Sequence, residues 1–189
     1  MAHEKTYTYK SDDITVTYAL KRCIHAAECV HGLPSVFDPN AKPWTQPGNA
    51  TADAVAEVIH KCPTGALQYE RHDGGPAEAI PDANTIEVVA DGPLYVRGDI
   101  TIQTADGTEV LKDTRIALCR CGASKNKPFC DNSHNAAGFT DAGAMGTTGL
   151  KADPDASPSV MVTLAENGPL LFKGSLTLNR IVIFVEIVN

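Results

Sequence analysis

The sequence has no apolar run of the roughly 18 residues that a membrane-spanning helix needs. Its start, MAHEKTYTYK, lacks the apolar core of a secretory signal. Both absences make a cytoplasmic protein with no membrane role the expectation. Basic residues are scarce as well: 16 Lys and Arg against 23 Asp and Glu give a net charge of −7, with a pI near 5.3. Phosphate binding needs a basic surface, so nucleic acid is not expected as a main partner. Catalytic signatures are missing too. The chain shows no nucleophile–base pair, no phosphate-cradling glycine loop and no nucleotide fingerprint, and it is not expected to be an enzyme.

What the chain does have is cysteine. Six occur in 189 residues, a length that fits one large domain or two small ones. Nothing points to export, so disulfides are not expected. The six fall into two groups, Cys23/Cys29/Cys62 and Cys119/Cys121/Cys130, and two groups suggest two metal centres. The second group is the tighter. With His134 it forms C-x-C-x8-C-x3-H inside sixteen residues, C-R-C-G-A-S-K-N-K-P-F-C-D-N-S-H from Cys119. Three thiolates and an imidazole around a Gly- and Pro-shaped loop make a soft metal site.

That run resembles the CDGSH iron–sulfur signature through Cys119, Cys121, Ser124, Pro128, Cys130, Asp131, Ser133 and His134. The resemblance implies a [2Fe–2S] cluster on Cys119, Cys121, Cys130 and His134. One position departs: Asn132 stands where the family has glycine. Asn is the residue after Gly that best tolerates a left-handed backbone, so the loop is expected to survive. Asp131 is placed to cap a short helix directed at the cluster. Arg120, Lys125 and Lys127 put three cations beside the site, to balance cluster charge, to dock an acidic partner or simply as solvated surface.

In the first part of the chain, residues 13–20 alternate as a strand, residues 36–48 form a Pro-rich connection, and a helix covers about 51–61 with Thr51 as its cap. L-Q-Y-E closes the segment as a further strand. The runs C-I-H-A-A-E-C, K-P-W and C-P-T-G-A-L resemble the divergent mono-cluster ferredoxins over about residues 5–70. A bacterial-type ferredoxin has C-x2-C-x2-C with a remote C-P. Here Ala26 occupies the middle cysteine position, leaving Cys23, Cys29 and Cys62. Three thiolates imply a [3Fe–4S] cluster, or a [4Fe–4S] cluster with a non-cysteine fourth ligand. His25 is the nearest nitrogen donor, followed by His31 and His60. The only tryptophan, Trp44, reads as a packing lid on this small domain, or alternatively as a redox relay.

Residues 72–84 have the Gly, Pro and acidic composition of a linker. Beyond it, T-I-E-V-V-A, P-L-Y-V-R, D-I-T-I-Q-T and T-R-I-A-L read as short strands with turns at Asp91-Gly92, Gly98 and Asp106-Gly107. G-P-L-Y-V-R-G-D-I-T-I at 92–102 recurs as G-P-L-L-F-K-G-S-L-T-L at 168–178. The second copy is either a pseudo-symmetric partner of the first or a plain β extension. In both cases V-I-F-V of the last strand should be buried or paired. The expected fold is α+β: a small ferredoxin-like domain over 1–72, a mostly β CDGSH-type domain over 85–150, and a C-terminal β extension over 151–189.

The functional expectation is a soluble two-cluster electron-transfer protein whose partner is a redox protein. The alternative is a cluster-transfer or redox- and pH-sensing module acting on an apo iron–sulfur acceptor. A structural zinc protein is a third class, since Cys3His suits zinc. As to assembly, the expectation is a monomer with a pseudo-two-fold β repeat, or a homodimer.

Overall fold

The computed structural model describes residues 5–144, 150–151, 156–166, 168–178 and 181–187. The chain divides into two compact units between Ala79 and Ile80. Its content is α+β with strands dominant. No helix among the described residues is long and apolar enough to cross a membrane.

The first unit has three antiparallel strands in the order β1 (Thr6–Lys10), β2 (Ile14–Ala19), β3 (Leu67–Arg71). Alternation along β2 sends Ile14, Val16 and Tyr18 into the core. The helix α1 (Glu28–Gly32) is a short turn, whereas α2 (Ala52–His60) is amphipathic and buries Val55, Val58 and Ile59 against Phe37 and Leu67. Thr51 caps α2, its hydroxyl accepting the Ala54 N–H at 3.3 Å. The Pro-rich stretch carries only a bridge between Phe37 and Thr45 and a 3-10 turn at Pro47–Asn49. The sequence reading did not place β1. T-Y-T-Y-K alternates, but none of its residues is buried, so its apolar signal is weak.

The second unit is one seven-stranded sheet built from β4 (Thr85–Val88), β5 (Leu94–Thr104), β6 (Glu109–Leu118), β7 (Leu150–Lys151), β8 (Val160–Leu164), β9 (Leu170–Leu178) and β10 (Ile181–Ile187). Ile86, Val96, Ile100, Ile102, Ile116, Val160, Val162 and Phe172 form its core. The two short strands expected on either side of Gly98 are a single one, β5. Gly98 has φ of 140°, a conformation open to glycine, and it shifts the ladder register between Arg97 and Ile100 without ending the strand.

The repeated segments are equivalent in the sheet. Ile86 pairs Val96 in one hairpin and Val162 pairs Phe172 in the other. Parallel pairings cross between them, Thr85 with Thr177 and Thr101 with Met161. The turns match as well, Val89 N–H donating to Pro93 O and Ala165 N–H to Pro169 O. Gly174 repeats the backbone of Gly98, with φ of 137°. Asn84 joins the halves. Its amide donates to Pro158 O at 2.5 Å and Ser175 O at 2.6 Å, and its oxygen accepts the Asp99 N–H at 2.9 Å. The final strand, β10, pairs antiparallel with β9 from Ile181 to Ile187, so V-I-F-V is backbone-paired.

Candidate metal centres

Three separate segments carry the first group of cysteines. Cys23 ends a 3-10 turn at Leu20–Arg22, Cys29 lies in α1, and Cys62 follows the end of α2. Arg22 is buried and donates to Thr64 O at 2.6 Å, clamping the Cys23 segment to the turn after Cys62. That turn is held further by the Thr64 hydroxyl, which accepts the Ala66 N–H at 3.2 Å and stands 3.6 Å from the Cys62 sulfur. All three cysteines line one cavity of about 660 Å³. Its walls include Tyr9, Tyr18 and Trp44, and the Trp44 ring packs edge-on to Tyr18 at 5.0 Å. Burial pushes the Cys29 thiol up, and the nearby thiols of Cys62 and Cys23 push it the same way, against the Val30 N–H.

Ala26 lies at the exposed rim of this cavity, where a fourth cysteine would stand. His25 and Ala27, on either side, are both left-handed, with φ of 57° and 65°. Non-glycine residues rarely adopt that conformation, so the loop is held by its surroundings rather than by preference. Of the three histidines weighed as a fourth donor, His25 borders the cavity and is exposed. His31 and His60 do not line it, and the His60 Nε2 lies 2.9 Å from the Tyr69 hydroxyl.

The second group is local. β6 ends at Leu118, which bridges Phe129, and the ladder continues with Cys119 N–H to Pro128 O at 2.8 Å and Cys130 N–H to Ala117 O at 2.9 Å. Inside the loop, Ser124 donates to Phe129 O at 2.7 Å and accepts the Asn126 N–H at 3.0 Å. Asp131 accepts the N–H groups of Lys125 at 2.9 Å and Ser133 at 3.0 Å. These bonds explain why the motif has a hydroxyl and a carboxylate at those positions. The short helix α3 (Ser133–Ala136) has Asn132, not Asp131, at its cap position. Asn132 is left-handed with φ of 68°, the conformation for which glycine is the usual choice.

Donor spacing tests whether a metal fits. Two sulfurs on one tetrahedral ion, at bonds of about 2.3 Å, stand about 3.8 Å apart, and a sulfur–nitrogen pair slightly less. Cys119 and Cys121 have their sulfurs 3.8 Å apart, and the Cys130 sulfur is 3.5 Å from His134 Nδ1. Each pair is therefore spaced for one metal. Among the described residues no three such side chains converge on one ion. The Cys130 thiol is pushed up by burial and by the neighbouring Cys119, Asp131 and Cys121, against the Asn132 N–H.

The three cations beside the loop play different parts. Arg120 is turned to structure: it donates to Gly92 O at 3.0 Å and Val89 O at 2.6 Å, pairs with Asp141, and lies 5.0 Å from the centre of the Phe139 ring. Lys125 and Lys127 are exposed.

Comparison with known proteins decides the family. Residues 9–72 match the family described as divergent 4Fe-4S mono-cluster. YjdI of Escherichia coli (strain K12), an uncharacterized protein, is 38% identical over 64 residues, covering 34% of this chain and 83% of that protein. The chain belongs to the divergent 4Fe-4S mono-cluster family. YjdI of Escherichia coli O157:H7, also an uncharacterized protein, matches to the same extent. Residues 91–135 match a second family, the iron-binding zinc finger of CDGSH type, and so the mono-cluster unit is followed by a CDGSH unit. No solved structure matches the chain. Both matches make this an iron–sulfur protein, and each encloses one of the two cysteine groups.

Proposed function

We propose that this is a two-cluster electron-transfer protein, with a [2Fe–2S] cluster on Cys119, Cys121, Cys130 and His134 and a cubane-type cluster on Cys23, Cys29 and Cys62. The observation that carries the reading is the pairing of donors in the CDGSH loop: two sulfurs at 3.8 Å and a sulfur and nitrogen at 3.5 Å, each pair spaced for one metal. Cys119 and Cys121 would hold one iron, and Cys130 with His134 the other. The first site supports a [3Fe–4S] cluster, because its rim offers the methyl of Ala26 where a fourth thiolate would be. A [4Fe–4S] cluster, with His25 or another non-cysteine donor, is the variant reading.

When bound, the clusters supply one-electron redox chemistry. The chain supplies the tuning. The N–H groups of Ala123 and Asn132 point to the sulfurs of Cys121 and Cys130 at 3.4 and 3.5 Å, where they offset negative charge and favour reduction. The neutral imidazole of His134 acts in the same direction, since it brings less negative charge than a thiolate. In this reading the chain is a carrier rather than an enzyme, its partner is a redox protein, nucleic acid and membrane play no part, and its place is the cytoplasm.

One feature favours a second reading, cluster transfer or redox and pH sensing. Cys119, Cys121 and His134 are half-buried, so an apo iron–sulfur acceptor has access to the second site. The deciding experiment is anaerobic purification with iron and sulfide counts, EPR in both redox states and titration with an apo-acceptor. A [3Fe–4S] plus a [2Fe–2S] cluster gives about five irons per chain, an EPR signal when oxidised and a second one on reduction. About six irons with an EPR-silent oxidised state assigns the [4Fe–4S] variant. Loss of cluster to the acceptor replaces the carrier reading with transfer. Colourless protein holding zinc overturns all of these.

A further inference from the structure

The chain beyond His134 folds back onto the β4–β5 hairpin and is fastened there. Asp91, in the hairpin turn, and Asp141 exchange two bonds: the Asp91 N–H donates to Asp141 O at 2.8 Å, and the Asp141 N–H donates to the Asp91 carboxylate at 2.7 Å. The Asp141 carboxylate accepts the Gly143 N–H at 2.8 Å and pairs with Arg120. Gly143, with φ of 71°, passes so close to the hairpin that a Cβ there would stand 2.7 Å from Val88 O. Arg120 reaches this strap from between Cys119 and Cys121, with only 16% of its side chain exposed. Its guanidinium also covers the Phe139 ring, and the Phe139 N–H donates to the carbonyl of His134 at 3.0 Å. The ion pair therefore closes a ring of chain from Arg120 to Asp141 that contains Cys121, Cys130 and His134.

We propose that Arg120, Asp141 and Asp91 are positioning residues that keep the His134 side of the second centre closed and so set how slowly it gives up its cluster. This rests on the reading that Cys119, Cys121, Cys130 and His134 hold a [2Fe–2S] cluster. His134 is the one uncharged donor of the four, so its bond to iron lacks the charge attraction that a thiolate brings. It is the donor that parts first. Withdrawing the His134 backbone moves α3 and Phe139 with it, against the bonds that Arg120, Asp141 and Asp91 make. Groups that orient metal ligands from behind change metal affinity roughly 10–100-fold when they are removed. The Asp141 side chain is 47% exposed, so salt screens its pair with Arg120, while the backbone bonds of the strap are indifferent to salt. Cluster release thereby acquires a dependence on ionic strength that a purely hydrogen-bonded loop would lack.

Asp141→Asn keeps the acceptor for the Gly143 N–H and removes the charge. Loaded full-length protein is mixed with excess chelator, and the visible absorbance of the second centre is followed at low and high salt. Wild type should release slowly at low salt and faster as salt rises. Asp141→Asn should release about tenfold faster at low salt, the lower end of the range for ligand-orienting groups, and should not respond to salt. Gly143→Ala, which changes no charge but pushes the strap off Val88, should also speed release. The first centre, in the same chain, should decay alike in all three proteins. Hydrogen exchange on chelator-stripped protein gives a readout without the cluster. There the Phe139 and Asp141 amides should lose protection in Asp141→Asn, while those paired between β5 and β6 keep theirs. Where a variant does not load, that exchange decides. Rates and protection equal to wild type overturn the inference alone. Wild-type protein without a [2Fe–2S] spectrum overturns the assignment beneath it.

Discussion

The two candidate centres use similar donors but are assembled in opposite ways. In the first unit Cys23, Cys29 and Cys62 come from a 3-10 turn, a short helix and the end of α2, and the fold must form before they meet. In the second, all four donors sit within sixteen residues, and hydrogen bonds from Ser124 and Asp131 shape the loop that carries them. The first site is therefore a property of a packed core and the second of a loop on a sheet. A cluster bound at the first site would cross-link the three segments around that small core. One at the second site adds little to the sheet, whose core is already continuous.

The sharpest way to break this contrast is to remove one thiolate from each group. Cys62→Ser should abolish the visible spectrum of the first centre, leave that of the second intact and lower the thermal midpoint of the first unit. Cys130→Ser should bleach the second centre with little loss of stability. Absorbance and circular dichroism on the same samples check both. If either change removes both spectra from folded protein, the six cysteines form one site.

A smaller effect follows from the buried thiols in cluster-free protein. Burial pushes Cys29 and Cys130 up, so the folded chain keeps protons that the unfolded chain releases. A raised thiol contributes nothing below the ordinary cysteine range, and stability falls as pH rises through about 8.5. Urea midpoints of chelator-stripped protein should therefore drop between neutral and alkaline pH. Cluster-loaded protein should not show the drop, since a ligating thiolate has already lost its proton. A flat profile for stripped protein would contradict the burial of both thiols.

The smallest expected effect is at Asn132. Asn132→Ala should cost about 1 kcal/mol, because alanine lacks the polar side chain that makes a left-handed backbone tolerable. Asn132→Gly should be neutral or slightly stabilising. Thermal melts of the two variants, with the first unit as internal reference, measure the difference.

Legibility in the sequence follows the same contrast. The second donor set was readable because its spacing is local, and Thr51, Val55, Val58 and Ile59 announced α2 by their helical period. The structure puts Cys23, Cys29 and Cys62 around one cavity, a convergence that no spacing rule reports; only likeness to ferredoxin runs suggested it. Gly98 reads as a turn in sequence, yet at φ of 140° it bends a strand without ending it. Nor did the sequence show what Arg120 does. A cation between two ligands invites an electrostatic role, but its bonds to Val89 O, Gly92 O and Asp141 tie down the neighbouring hairpin. Tyr18 carried no signal beyond its place in an alternating strand.

The crossed hairpins of the second sheet have a consequence for how the chain is made. β4 and β5 take parallel partners, β9 and β8, which lie on the far side of the ligand loop in sequence. Such distant pairings close slowly, because a long loop must be ordered before any ladder bond forms. A ribosome delivers residues 119–134 before either closing strand exists. At that stage the donor set is complete while β5 still presents an open edge, the kind of edge that captures other strands.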